Sequence, residues 1–74
     1  MIARLTWIPD NGQPETLTVD MPDFRITEFR ELTGTEEWAA SETVVWIPYR
    51  NRDDQPFVKG LFRLARITAL EPTP

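Results

Sequence analysis

The side chains that most often carry out catalysis are scarce in this chain of 74 residues. It has no histidine and no cysteine, its only serine is Ser41 and its only lysine is Lys59. A Ser-His-Asp or Cys-His system needs a histidine as its base, so neither arrangement can exist here. The residues FVKGLF around Lys59 lack the glycine spacing of a phosphate-binding loop.

Two pairs of adjacent carboxylates are the remaining candidates for chemistry: Glu36 with Glu37, and Asp53 with Asp54. Two carboxylates can perform acid–base work or bind a hard cation. Both pairs lie in polar stretches, where acids at a helix start or in a solvated loop are common. Zinc is also not expected, because its usual cysteine and histidine ligands are absent. We therefore expect no enzyme, no metal and no cofactor.

The length of the chain predicts one domain, which we place at residues 1–71 with a tail at 72–74. Such a chain buries only about 60% of the surface that its unfolded form exposes, so its core is small. Without disulfides, its stability has to come from packing of the eight aromatic residues or from another chain. No apolar run approaches the roughly 20 residues of a membrane span, and MIARLTWIPD lacks the apolar segment of a secretory signal. We expect a soluble, cytoplasmic protein that binds neither a membrane nor a small-molecule substrate.

Charge is unevenly distributed along the sequence. The net charge is −4, but residues 1–42 carry nine acidic and three basic residues, whereas residues 43–74 carry three acidic and five basic residues. A chain with this dipolar pattern can orient in the electric field of a partner. The other interpretation is an ordinary solvated surface that carries both signs of charge.

The tripeptide Trp-Ile-Pro occurs twice, beginning at Trp7 and at Trp46, and each copy is followed by a polar stretch and Gln-Pro. Around the first copy, apolar and polar residues alternate in IARLTWIP, where Ala3, Leu5 and Trp7 share a side, and again in ETLTVDM, which is the period of a half-buried strand. Pro9 ends the first strand, and the Asn-Gly after it suits a tight turn. The pattern predicts a β-hairpin, and the repeat is either a degenerate duplication or a coincidence.

The second copy lies in TVVWIP, which is apolar on both of its faces. Val44 and Trp46 face one way and Val45 and Ile47 the other, which is typical of a central strand covered on both sides. Pro48 is expected to end or bend this strand.

A second hairpin is predicted over the C-terminal part of the chain. YRNRDDQP has the composition of a polar loop, and FVKGLFRLARITAL that of the returning strand, with a change of phase near Ala65 that indicates a bulge before Ile67. Since Phe57, Leu61 and Leu64 also have helical spacing, a helix is the alternative here.

The segment between the hairpins, PDFRITEFRELTGTEEWAASE, has a helical pattern. Its apolar stripe is formed by Ile26, Phe29 and Leu32. Asp23 is a suitable N-cap and Gly34 a suitable C-terminal residue. Thr35 can cap a further turn that buries Trp38 and Ala39. One kinked helix or two short helices fit this pattern.

We therefore predict an α+β fold of ββ-α-ββ order, in which a four-stranded antiparallel sheet carries one short or kinked helix on one face. A single short helix leaves the other face partly open, so Val44 and Trp46 lack cover. In the alternative fold, RITEFREL is a strand and the chain is a small all-β barrel of the SH3 or OB kind.

Uncovered apolar positions, small size and an acidic middle segment favour a non-catalytic protein-interaction module. Its partner would be another protein or a second copy of the chain. Tryptophan, tyrosine and arginine dominate the energetics of protein interfaces. The residues expected at the contact are Trp46, Tyr49, Arg50 and Arg52, with Glu36, Glu37 and Glu42 as the acidic alternative.

Nucleic-acid binding by the C-terminal hairpin is a second hypothesis. Charge and base stacking would come from Tyr49 and Phe57 among five basic residues: Arg50, Arg52, Lys59, Arg63 and Arg66. The pI of about 4.6 and the two aspartates in the same loop argue against it.

The acids of residues 10–42 allow the reverse role, in which the chain occupies a basic groove of a nucleic-acid-processing machine and inhibits it, as an anti-defence protein would. Small chains without cysteine, histidine or a catalytic set are typical of bacteriophage accessory proteins, which act in the host cytoplasm. ITEFRELTGTEEW, residues 26–38, looks like the helix of bacteriophage tail-assembly chaperones, which implies a structural or assembly role. Pro48 departs from that family, because it would lie in the next helix.

Overall fold

All 74 residues are described by the computed structural model. Its elements in chain order are β1 (Ile2–Trp7), β2 (Glu15–Asp20), α1 (Asp23–Leu32), α2 (Glu36–Ala39), β3 (Val44–Arg50), β4 (Val58–Arg63), a 3₁₀ turn (Leu64–Arg66) and β5 (Ile67–Pro72). The strands form one antiparallel sheet in the order β4-β3-β2-β1-β5. The predicted α+β class with an antiparallel sheet is confirmed, but the predicted four strands are wrong because the sheet has five.

The first hairpin forms as its alternation predicts. β1 and β2 pair from Ile2 opposite Asp20 to Trp7 opposite Glu15. In the connecting loop, Gly12 has a φ of +78° and donates its N–H to the Pro9 carbonyl at 2.9 Å, which closes a turn. The apolar side chains of both strands share the buried face: Ala3, Leu5, Leu17 and Val19.

The fifth strand comes from the C-terminal run, which was predicted to be one strand with a bulge. The change of phase near Ala65 is a 3₁₀ turn, after which the chain leaves β4 and pairs with β1. This turn resets the alternation, so both Phe62 and Ile67 are buried. Pairing extends into the predicted tail, since Pro72 belongs to β5 and the Thr73 N–H donates to the Ile2 carbonyl at 3.1 Å.

The sheet is open but strongly curled. β4 and β5 are its opposite edges, which would lie about 19 Å apart in a flat sheet of five strands. The 3₁₀ turn that joins them lets Arg63 and Ile67 lie at most about 15 Å apart. Curling also brings Trp7 of β1 edge-on to Phe62 of β4, with ring centroids 4.9 Å apart.

Pro48 does not end β3, which continues through it to Arg50. The Leu64 N–H donates to the Thr43 carbonyl at 3.0 Å, and from this pair the alternation of an antiparallel ladder makes Pro48–Lys59 a pair without hydrogen bonds. The proline therefore costs the β3–β4 ladder nothing. On its other side, β2 pairs with β3 only as far as Val19 opposite Tyr49, and the ladder stops where Pro48 would have to donate.

Two helices cover the inner face of the sheet, so the all-β alternative is wrong. α1 begins after Pro22 without a side-chain cap, which places Asp23 in the first turn and not at the predicted N-cap. Gly34, at a φ of +87°, separates the helices, and Thr35 caps α2 by accepting the Trp38 N–H at 3.2 Å. A helix of four residues buries only one side chain here, so Ala39 is exposed, contrary to prediction.

The core lies between the helices and the inner face of the sheet. Ile26 and Phe29 are buried and Leu32 is half-buried, which confirms the predicted stripe. Trp38 packs edge-on against Phe29, with ring centroids 5.1 Å apart, and donates its Nε1–H to the Ile67 carbonyl at 3.0 Å. Neither helix has the length and the apolar composition that crossing a bilayer requires.

Candidate functional site

Apolar side chains lie uncovered on the outer face of the β3–β4 hairpin. Trp46 is 63% exposed and pairs with Leu61, which is 52% exposed; Val44, two residues before Trp46 on the same face, is 46% exposed. Trp46 and Leu61 form a pair without hydrogen bonds, the kind in which side chains lie closest. We call Val44, Trp46 and Leu61 the outer strip. Because β3 exposes this face, the prediction of a strand covered on both sides is wrong.

Two basic residues flank the outer strip on the same face. Arg63 pairs with Val44 and Lys59 pairs with Pro48, so both alternate outward with Leu61. No carboxylate lies within 4.0 Å of either cation, and the ion pairs of the structure are all formed by other residues. β3 and β4 contain no acidic residue. The outer strip therefore lies in a locally positive field on a chain of net charge −4.

A cleft of about 560 Å³ adjoins one end of the outer strip. The hairpin contributes Val44, Leu61 and Arg63 to its lining, and β1 contributes Trp7, whose indole nitrogen is buried without a hydrogen-bond partner. Arg66 also lines the cleft but is held by Asp10 at 3.7 Å. The free guanidinium in this cleft is therefore that of Arg63.

Tyr49, one of the predicted contact residues, lies on the opposite face from Trp46. An odd separation of three residues turns the two side chains to different sides of a strand. The Tyr49 ring packs edge-on against Phe62, with centroids 5.6 Å apart, and covers Gly60 so closely that a Cβ there would lie 2.5 Å from its Cε1. Gly60 was not predicted to have this packing role, although a glycine inside a strand often marks such a close approach.

Arg50 shares the outer face with Trp46 but is engaged in its own loop. Its guanidinium lies 4.5 Å from the centre of the Phe57 ring and donates to the Gln55 carbonyl at 3.5 Å. Arg52, with its side chain 74% exposed, lies in that loop 4.0 Å from Asp54. The structure thus brings neither Tyr49 nor Arg52 to the outer strip.

The acidic candidates lie elsewhere. Glu36 and Glu37 are exposed in the first turn of α2, and Glu42 is exposed in the link to β3. No three acidic side chains lie together in an arrangement that could hold a metal ion.

The five basic residues of the nucleic-acid hypothesis are also divided. Only Lys59 and Arg63 are free on the outer face, because Arg50 and Arg66 have partners within the fold and Arg52 lies in the loop. Leu61 was missed as a partner of Trp46. An alignment of the two predicted strands across the polar loop would have identified Leu61 as this partner.

Comparison with protein-family models, with curated proteins and with solved structures finds no match to this chain.

Proposed function

We propose that this chain is a non-catalytic protein-interaction module that binds its partner through the outer strip and the flanking Lys59 and Arg63. The exposure of Trp46 carries the proposal, since this residue is 63% exposed on a strand paired along its length with β4. Tryptophan is enriched among the few residues that supply most of the energy of an interface. A side chain held on a strand also loses little freedom on binding, which favours affinity.

The chemistry of the outer strip defines the partner that would fit it. Burial of apolar surface stabilises a complex by roughly 25 cal/mol per Å² before the costs of association. A complementary surface has an apolar centre for Trp46 and Leu61 and carboxylates at its rim for Lys59 and Arg63. Rim charges of this kind mainly accelerate association and select the partner.

The wider role that we propose is that of a bacteriophage-type accessory protein, which inhibits or helps to assemble a larger complex. An anti-defence inhibitor of a nucleic-acid-processing machine and a tail-assembly factor are the two forms of this role. Its support is the small size, the absence of cysteine and histidine, and the contrast between the acidic first 42 residues and the basic hairpin. The host cytoplasm is the proposed location.

Nucleic-acid binding is a second candidate, because one observation favours it. Trp46 is exposed on a face that also carries Lys59 and Arg63, and single-stranded nucleic acids bind to exposed aromatic rings among cations. In this candidate the stacking residue is Trp46, which was not among the residues assigned to it from the sequence.

The proposal is tested by capture with the tagged full chain from the cells that express it, with and without nuclease. Trp46→Ala is compared with Phe24→Ala, which removes an aromatic ring that is 67% exposed on α1. We expect one protein in stoichiometric amount that survives nuclease, is retained by Phe24→Ala and is reduced about tenfold or more by Trp46→Ala. Equal capture by both variants contradicts the proposal, and capture that disappears with nuclease supports the second candidate.

A further inference from the structure

The sheet has two edge strands, and only β5 has a helix packed beside it. β5, at one side, lies beside α1, where Arg30 and Glu71 form an ion pair at 3.4 Å. β4, at the other side, pairs only with β3. An uncovered edge strand can pair with a strand from another chain.

The register identifies which backbone groups face this free edge. Because Leu64 bonds to Thr43, the alternation of the ladder directs the N–H groups of Lys59, Leu61 and Arg63 and the C=O groups of Lys59 and Leu61 away from β3. Arg63 is the N-cap of the 3₁₀ turn, so its carbonyl accepts within that turn. None of the backbone hydrogen bonds outside the helices and strands involves these three residues. The residues with free backbone groups therefore also present their side chains on the outer face.

We propose that β4 accepts an additional strand from the partner protein, an extended segment with an apolar residue between two acidic residues at alternate positions. This inference rests on the proposed function, since it specifies the partner of the outer strip. A partner residue opposite Leu61 places its side chain on the outer face beside Leu61 and Trp46. The residues two positions away lie opposite Lys59 and Arg63, where carboxylates form favourable cross-strand pairs.

Charge disfavours the β4 strand of a second copy as this added strand. Antiparallel pairing of two β4 strands centred on Leu61 places Lys59 of each copy opposite Arg63 of the other, and like charges directly opposite each other are destabilising. Basic residues on an edge strand are a common means of preventing self-association of sheets. An acidic strand converts the same two cations into attractive partners.

The probe is a short peptide with blocked ends and the sequence Thr-Glu-Thr-Leu-Thr-Glu-Thr. Amide hydrogen exchange is measured by NMR on the full-length chain. We expect the amides of Lys59, Leu61 and Arg63 to exchange at least about tenfold more slowly with peptide, relative to ladder amides such as that of Ile47.

Two matched controls separate strand addition from other binding. N-methylation of the peptide's leucine removes a donor that faces Leu61 and should abolish protection, whereas N-methylation of the next residue, whose N–H faces away, should preserve it. Lys59→Glu should weaken peptide binding about tenfold, whereas the same change of charge at Arg52, in the loop, should not.

Any of these results with the peptide overturns the inference: no binding, binding without protection of the three edge amides, or equal binding of both methylated peptides. Protection that rises with protein concentration and needs no peptide also overturns it, because a second copy then occupies the edge. If the peptide fails while capture still depends on Trp46, strand addition is wrong and the proposed function stands. If capture does not depend on Trp46, the proposed function itself fails.

Discussion

The three tryptophans differ in environment because of where the backbone places them. Trp38, on α2, is 4% exposed and hydrogen-bonded, Trp7 is half-buried at the end of β1, and Trp46 is 63% exposed on β3. Residue type alone does not distinguish these positions. Strand alternation does so for Trp46, because its neighbour Ile47 occupies the buried face.

Alanine substitutions should separate the core tryptophan from the exposed one. Trp38→Ala removes a buried ring and should cost about 3–5 kcal/mol of the free energy of unfolding, which is most of the stability of a small domain. Trp46→Ala should cost less than about 1 kcal/mol, because it removes only an exposed cross-strand pair with Leu61. Urea denaturation followed by circular dichroism measures both values. Similar losses for the two variants would mean that Trp46 belongs to the core.

Gly60 is a second position where a single residue decides local packing. Gly60→Ala places a methyl group against the Tyr49 ring and should destabilise the fold by about 1–3 kcal/mol. In Tyr49→Ala the obstacle is gone, so adding Gly60→Ala should cost much less than it does alone. A double-mutant cycle from denaturant midpoints gives this coupling. Additive losses would show that the ring does not cover the glycine.

Local sequence patterns predict where the helices and strands of this fold lie better than they predict which strands pair with each other. The spacing of Ile26 and Phe29 predicts α1, and Gly34 with Thr35 predicts the break before α2, because these signals depend on neighbouring residues. The division of the C-terminal run into β4 and β5 is not predictable in this way. It results from the pairing of β5 with β1, which is 60 or more residues away along the chain.

The candidate site shows the same limit at the scale of the hairpin. The sequence identifies Val44 and Trp46 as uncovered residues, but places Tyr49 with them although alternation turns it inward. Leu61 joins the outer strip only through the register across the loop of residues 51–57. Tertiary contacts also decide which basic side chains remain free, since the Phe57 ring engages Arg50.

The local stability of the loop of residues 51–57 should depend on Arg50 and not on Arg52. Arg50→Ala removes the guanidinium from the Phe57 ring and the Gln55 carbonyl, which should cost about 1 kcal/mol of local stability. Arg52→Ala removes only an exposed ion pair with Asp54, worth little. Amide exchange of residues 51–57 should accelerate in the first variant alone. Equal acceleration in both would show that the stacked arginine does not hold the loop.

At the scale of the whole molecule, charge and sheet topology act together. The acidic first 42 residues and the basic β3–β4 face make the molecule dipolar, and the edge strand without a helix beside it, β4, lies on the basic side. This arrangement favours an acidic partner over a second copy of the chain. It also links solubility to binding, since the same two cations, Lys59 and Arg63, serve both.

Removing those cations should therefore promote self-association. The double variant Lys59→Thr with Arg63→Thr keeps the pairing of β4 with β3 and removes the repulsion between two β4 strands. Sedimentation velocity should show a monomer for the natural sequence and concentration-dependent dimers or larger species for the variant. Double substitution of Arg25 and Arg52 by threonine, which removes the same charge elsewhere, should leave the monomer unchanged. A dimer in the natural sequence would contradict this role of the edge cations.

The most direct test of the binding face is amide hydrogen exchange of the full chain, free and bound to its captured partner. We predict slower exchange in the complex over residues 44–47 and 58–63, with little change in α2 or in the loop of residues 51–57. Protection confined to the acidic residues 36–42, with the β3–β4 hairpin unaffected, would contradict the assignment of the outer strip as the contact surface.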